Sequence, residues 1–154
     1  MLTVEEQKEI LAEMAHYPDK RSVCIDAMKI VQRCRGWISD ESLRDIAEFL
    51  EMSVEELDGV ATFYNLIYRK PVGRHVILVC DSVSCWIMGY ERVREELSKK
   101  LGVQLGETTP DKRFTLLPIV CLGACDRAPV MMVDSDLHRD IEPQKLDGVL
   151  DKYK

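Results

Sequence analysis

Long apolar runs are missing from this sequence. The longest candidate, Leu116 to Cys125, is interrupted by Pro118 and Gly123, and it falls well short of the ~18 residues that span a bilayer. The opening Met-Leu-Thr-Val-Glu-Glu has neither the basic start nor the apolar core of a secretory signal. No direct membrane insertion is therefore expected, and the expected compartment is cytoplasmic and reducing. A positive surplus is missing too. With 21 Lys/Arg against 27 Asp/Glu the formal charge is −6, so no nucleic acid is expected as a partner, because phosphates demand a basic surface.

Several chemical signatures are also absent. There is no G-x-G-x-x-G and no P-loop, which excludes the usual local sites for dinucleotides and nucleoside triphosphates. The three histidines, His16, His75 and His138, have no second ligand at i+3 or i+4 and read as exposed or hydrogen-bonded side chains. No Ser–His–Asp or Cys–His combination stands at a suggestive position, so no catalytic residue is expected within this chain. C-x-x-C is absent, which removes a thioredoxin-type dithiol.

Cysteine itself is well represented, with six in 154 residues. In a reducing compartment these are ligands, reactive thiols or core residues rather than a disulfide framework.

The first half reads as helical. Thr3 with Glu6, and Ser53 with Glu56, have the form of capping boxes, and Ser39 can cap a helix between them. Helical spacing links Ile10, Leu11 and Met14; then Val23, Ala27, Ile30, Val31 and Cys34; then Leu43, Ile46, Ala47 and Leu50; then Leu57 and Val60. Pro18 and Gly36 act as stops. Helices this short are marginal alone and must bury their stripes on one another, so a compact bundle is expected over residues 1–73. That half holds 9 Lys/Arg against 14 Asp/Glu, a net of −5. Phe63 to Tyr68 has no readable periodicity.

Pro71-Val72-Gly73 breaks the pattern. Beyond it, His75 to Cys80 is a short β-branched run typical of a buried strand. Gly89 to Leu101 is a helix closed by Gly102. Phe114 to Val120 is a strand whose Pro118 requires an edge, an end or a bulge, and Val130 to Val133 is a third strand. A helix over Pro143 to Tyr153 completes an α/β unit over residues 74–154. The fold class is α+β, a helical domain followed by a small open sheet with helices packed on it.

Four cysteines form two pairs, Cys80-x4-Cys85 and Cys121-x3-Cys125. Each pair begins at a predicted strand end, where a rigid sheet can present ligands to one point. Gly123 and Ala124 keep the backbone close to whatever is bound. A binuclear cluster asks each tetrahedral iron to take two protein thiolates, which two pairs satisfy. A structural Zn(Cys)4 site also takes two pairs with two to four intervening residues, so spacing leaves iron and zinc both open. Cys24 and Cys34 lie ten residues apart on one predicted helix, ~15 Å along its axis, and are expected in the core. Trp86 is expected to anchor the helix that follows it, and Asp81 and Asp126 to point outward.

Cys80-Asp-Ser-Val-Ser-Cys85, Leu117-Pro-Ile-Val-Cys-Leu-Gly-Ala-Cys125 and Gly59-Val-Ala-Thr-Phe-Tyr64 resemble the E-type, or 24 kDa-type, subunits of NADH:quinone oxidoreductase, respiratory complex I. The resemblance runs nearly the whole chain. It implies a thioredoxin-like domain with one [2Fe–2S] cluster on Cys80, Cys85, Cys121 and Cys125. It also implies single-electron exchange with the flavin of a partner subunit, which binds FMN and NADH in place of this chain. Other implied partners are further peripheral-arm subunits, with the whole assembly attached to the inner membrane. Equivalent subunits occur in NAD-linked hydrogenases and formate dehydrogenases. A zinc-stabilised interaction module is the alternative of a different class, and the resemblance favours iron over it.

Overall fold

The computed structural model describes residues 1–154. The chain divides into two compact units, Met1–Pro71 and Val72–Lys154. No helix is long and apolar enough to cross a membrane.

The first unit consists of α1 (Val4–Met14), α2 (Cys24–Arg35), α3 (Asp40–Leu50) and α4 (Val54–Phe63). Both capping boxes form. Thr3 and Glu6 exchange their hydrogen bonds at the start of α1, and Ser53 and Glu56 do so at the start of α4. Ser39 caps α3, and Gly36 ends α2 at φ 84°. The helical stripes meet in one core containing Ile10, Ala27, Met28, Val31, Leu43, Ile46, Leu50 and Leu57. Each fully buried aliphatic side chain contributes roughly 1.5–3 kcal/mol against the entropy of ordering the chain. Two expected members of that core lie elsewhere, Leu11 on α1, which is exposed, and Cys34 on α2. Cys34 is exposed, whereas Cys24 is buried. The α2 stripe has its centre at Ala27, Ile30 and Val31, and Cys34 falls at its far end beside Arg33 and Arg35, where the helix turns toward water.

Polar groups finish this unit. Glu6 is buried, and its carboxylate meets Arg35 Nε at 2.8 Å and Nη2 at 2.7 Å. Arg35 also donates to the Ser42 hydroxyl at 3.0 Å. The segment without periodicity, Phe63 to Tyr68, is held by buried Ile67, by the Ile38 N–H on Tyr68 O at 2.8 Å and by the Gln32 side chain. Gln32 donates to Leu66 O at 2.8 Å and accepts from Tyr68 N at 2.6 Å. A loop pinned by a distant amide needs no periodicity, which is why none is readable there.

The second unit is a four-stranded sheet in the order β2-β1-β3-β4, built from β1 (His75–Cys80), β2 (Phe114–Ile119), β3 (Met131–Val133) and β4 (Asp136–His138). Strand β1 pairs in parallel with β2 and antiparallel with β3. Between β1 and β2 lie α5 (Val83–Ile87) and α6 (Tyr90–Leu101), and the chain ends with α7 (Leu146–Leu150). β1 is buried along almost its whole length, as its unbroken β-branched run demands. Pro118 is tolerated because β2 is an edge strand. The helix expected from Pro143 to Tyr153 is shorter than the sequence suggests. Pro143–Lys145 is a 3-10 turn and only Leu146–Leu150 is α-helical, because the apolar positions Leu146 and Leu150 cover little more than one turn.

Gly73 marks the entry to β1. A Cβ there would come within 2.9 Å of Lys112 O and 3.0 Å of Arg113 O, and its N–H donates to Thr115 Oγ1 at 2.6 Å. Only glycine lets the two backbones approach so closely.

Candidate metal centre

Parallel pairing decides where the thiols meet. The β1–β2 register sets Cys80, the last residue of β1, opposite Ile119, the last residue of β2. Both chains therefore leave the sheet at the same end, where loops after parallel strands gather to form sites. Cys85 follows on α5 and Cys121 lies two residues past β2. Cys125 opens a 3-10 turn, Cys125–Arg127.

The two pairs differ in depth. Cys80 and Cys85 are each 1 % exposed, whereas Cys121 and Cys125 lie at the surface. The Cys121 and Cys125 sulfurs are 3.8 Å apart. Two thiolates on one tetrahedral metal with metal–sulfur bonds of ~2.3 Å stand about 3.8 Å apart, so this pair is already spaced for a shared metal. Gly123 turns the loop at φ 74°, and its N–H donates to the Cys121 sulfur at 3.3 Å. A side chain at that φ would be strained, and the N–H is a donor of the kind that offsets cluster charge.

Electrostatics ties all four thiols together. Burial raises the Cys85 thiol to about 11; the Val130 N–H opposes that rise, and Cys80 and Cys125 add to it. Cys125 is raised chiefly by Cys121, with the Ser84 hydroxyl opposing and Cys80 adding to the rise. Crowded thiols resist ionising together until a cation enters among them, and a bound metal deprotonates them outright. The donors stand as two pairs, the arrangement that suits a binuclear thiolate cluster.

Asp81 and Asp126 are exposed, as expected of carboxylates flanking a thiolate site. His75 Nδ1 pairs with Asp134 at 2.7 Å, and His138 Nε2 with the Tyr153 hydroxyl at 2.8 Å. Trp86 departs from its expected role. It is 60 % exposed and does not anchor the helix that follows. The short helix α5, unforeseen in the sequence, turns Trp86 outward while Cys85 turns inward. The contributions of Ser84 and Val130 are likewise not readable in the sequence. A serine beside a cysteine is only a faint signal, and a backbone N–H leaves none.

Fold and thiol placement together define a small α/β metal–thiolate domain preceded by a helical unit. A profile of the thioredoxin-like [2Fe–2S] ferredoxin family matches residues 10–154. The chain belongs to that family and carries one [2Fe–2S] cluster, and the zinc alternative is not supported. It is 49% identical to the E-type subunit of the NADH-quinone oxidoreductase of Pseudomonas aeruginosa over 153 residues, covering 99% of this chain and 92% of the relative. The corresponding subunit of Escherichia coli K12 is 48% identical over the same coverage. Among solved structures, an air-oxidised NAD+-reducing [NiFe]-hydrogenase aligns with a TM-score of 0.72 at 20% identity. That alignment covers 85% of this chain and 22% of the hydrogenase chain, and it bears on the fold.

Proposed function

We propose that this chain is the electron-transfer subunit of an NADH:quinone oxidoreductase, holding its cluster on Cys80, Cys85, Cys121 and Cys125. The observation that carries the reading is the pairing of these four thiols at one sheet end, in a chain 49% identical to an E-type subunit along 99% of its length. The same identity favours complex I over a hydrogenase or formate dehydrogenase. When bound, the [2Fe–2S] cluster accepts and returns one electron at a time.

This chain's residues do the rest. Cys80 and Cys85 hold the buried side of the site, and Cys121 and Cys125 the side nearest solvent. The Gly123 N–H, the Val130 N–H and the Ser84 hydroxyl stabilise negative charge on the sulfurs. FMN and NADH belong to a partner subunit, whose flavin splits a hydride into single electrons. The acidic helical unit, net −5 over residues 1–73, serves as a docking surface, and the assembly is peripheral to the cytoplasmic side of the inner membrane.

The test is anaerobic purification followed by metal analysis, visible spectroscopy and EPR. Two irons and two sulfides per chain, red-brown colour bleached by dithionite, and no NADH oxidation by the chain alone are expected. Adding the flavin-bearing subunit should allow NADH to bleach the colour. A colourless zinc protein, or NADH oxidation by the pure chain, would overturn the reading.

A further inference from the structure

Two of the four ligand cysteines form a dithiol that solvent reaches. Cys121 and Cys125 are exposed and their sulfurs are 3.8 Å apart, so a closure of roughly 2 Å brings them to the ~2.05 Å of a disulfide bond. The Gly123 N–H, 3.3 Å from the Cys121 sulfur, keeps that sulfur turned into the loop. Nothing lies within 4 Å of the position a Gly123 side chain would occupy, which leaves the loop open space in which to tighten. The sequence has no C-x-x-C, yet the C-x3-C turn about Gly123 sets its two thiols side by side all the same.

The other pair is placed differently. Cys80 and Cys85 are each 1 % exposed, and Cys80 ends the buried strand β1. Susceptibility of a thiol to oxidation follows its exposure to the oxidant. Depth therefore divides four chemically identical ligands into a reactive pair and a protected pair.

We infer that Cys121 and Cys125 form a reversible redox switch on cluster loading. In the iron-free chain they close into a disulfide, with a small-molecule disulfide such as oxidised glutathione as the oxidant, and the chain then takes up no iron until a thiol reduces it. The inference rests on the proposed function for the ligand role of these cysteines. The exchange balances. The sulfur of one cysteine attacks a sulfur of oxidised glutathione, whose S–S bond breaks, and one glutathione leaves with the cysteine proton. The sulfur of the second cysteine attacks the mixed disulfide, the Cys121–Cys125 bond forms, and the second glutathione leaves with the second proton. Two protein thiols have given up two electrons and two protons, and one glutathione disulfide has become two thiols. The product withholds two of the four thiolates, and the inner pair alone cannot complete the set that a [2Fe–2S] cluster requires. Exposed disulfides are the readily reduced, regulatory ones, so a dithiol reopens the site.

The test uses the full-length chain carrying Cys34→Ala, which removes an exposed thiol outside the site. It is stripped of iron by a chelator in the presence of a dithiol and then desalted. Incubation with oxidised glutathione should lower its mass by two hydrogens and give a peptide map joining Cys121 to Cys125. Cys80 and Cys85 should remain open to alkylation after denaturation. The oxidised chain should gain neither iron nor colour from ferrous ion and sulfide, and dithiothreitol should restore both. Cys121→Ser and Cys125→Ser, which cannot close the bond, should each retain one bound glutathione instead. A disulfide that engages Cys80 or Cys85, glutathione adducts in place of the Cys121–Cys125 bond, or normal iron uptake by the chain holding that bond would overturn the inference. Failure of the reduced chain to take up iron would overturn the proposed function and the switch with it. Uptake by the reduced chain, with no disulfide in the treated one, overturns the switch alone.

Discussion

Cys121 and Cys125 hold their sulfurs 3.8 Å apart at the surface, while Cys80 and Cys85 lie beneath them with almost no exposure. The metal site is therefore asymmetric. Its inner half is buried in the unit, and its outer half faces solvent.

Replacing any one of Cys80, Cys85, Cys121 or Cys125 by Ser is expected to abolish or destabilise the visible chromophore. Cys24→Ala and Cys34→Ala should leave it unchanged, since both lie on α2 in the other unit. Absorption and iron content per chain are the measurements. Normal iron in a Cys121→Ser variant, with iron lost from Cys24→Ala, would sink the assignment.

Glu6→Ala should destabilise the helical unit by about 2–4 kcal/mol, because it strips the buried partner from Arg35 and removes half of a capping box. The Arg35 guanidinium holds the Glu6 carboxyl below its ordinary value of 4.5. A lowered carboxyl stabilises the fold above the unfolded value and loses that contribution as pH falls through the folded one. Denaturant midpoints of wild type and variant should thus converge below pH ~4.5; a constant difference down to acid pH would contradict the pairing.

Gly73→Ala is expected to cost about 1–3 kcal/mol, since its new methyl group meets backbone oxygens of Lys112 and Arg113 that no rotamer change can move. Thermal unfolding of the full chain reads this directly. A variant as stable as wild type would show that the β1 entry can shift freely.

Tyr153→Phe removes hydrogen bonds to Asp136 at 2.9 Å and His138 at 2.8 Å, a loss of about 1–2 kcal/mol at neutral pH. Burial, with Asp136 adding, raises the Tyr153 phenol to about 12 from an ordinary 10.0. A phenol raised in this way stabilises the fold below the unfolded value and loses that contribution as pH climbs to the folded one. Wild type should lose stability between pH 10 and 12, and the Phe variant should lose less. Parallel alkaline profiles would contradict the burial of this hydroxyl.

Much of the fold was legible because its signals are local. Capping at Thr3, Ser39 and Ser53, the stop at Gly36 and the buried run of β1 all depend on residues a few positions apart, whereas Pro118 allowed an edge, an end or a bulge and the strand order selected the edge. Cys34 and Trp86 differ from expectation for the opposite reason. Periodicity gives the direction of a stripe but not where the neighbouring element stops covering it, and Trp86 rotates outward on a helix too short to leave a pattern.

From the sequence alone came the two cysteine pairs, their places near strand ends and the absence of any nucleotide fingerprint, since ligand identity and spacing are written in order along the chain. The tertiary structure decided what distance along the chain cannot express. Parallel registry of β1 with β2 brings Cys80 and Cys121 to one sheet end across 40 intervening residues. Differential burial then gives the four chemically identical thiols two environments. Exposure is decided in the same way: α5 leaves Trp86 outward and Cys85 inward, because exposure is a property of packing that no local pattern carries.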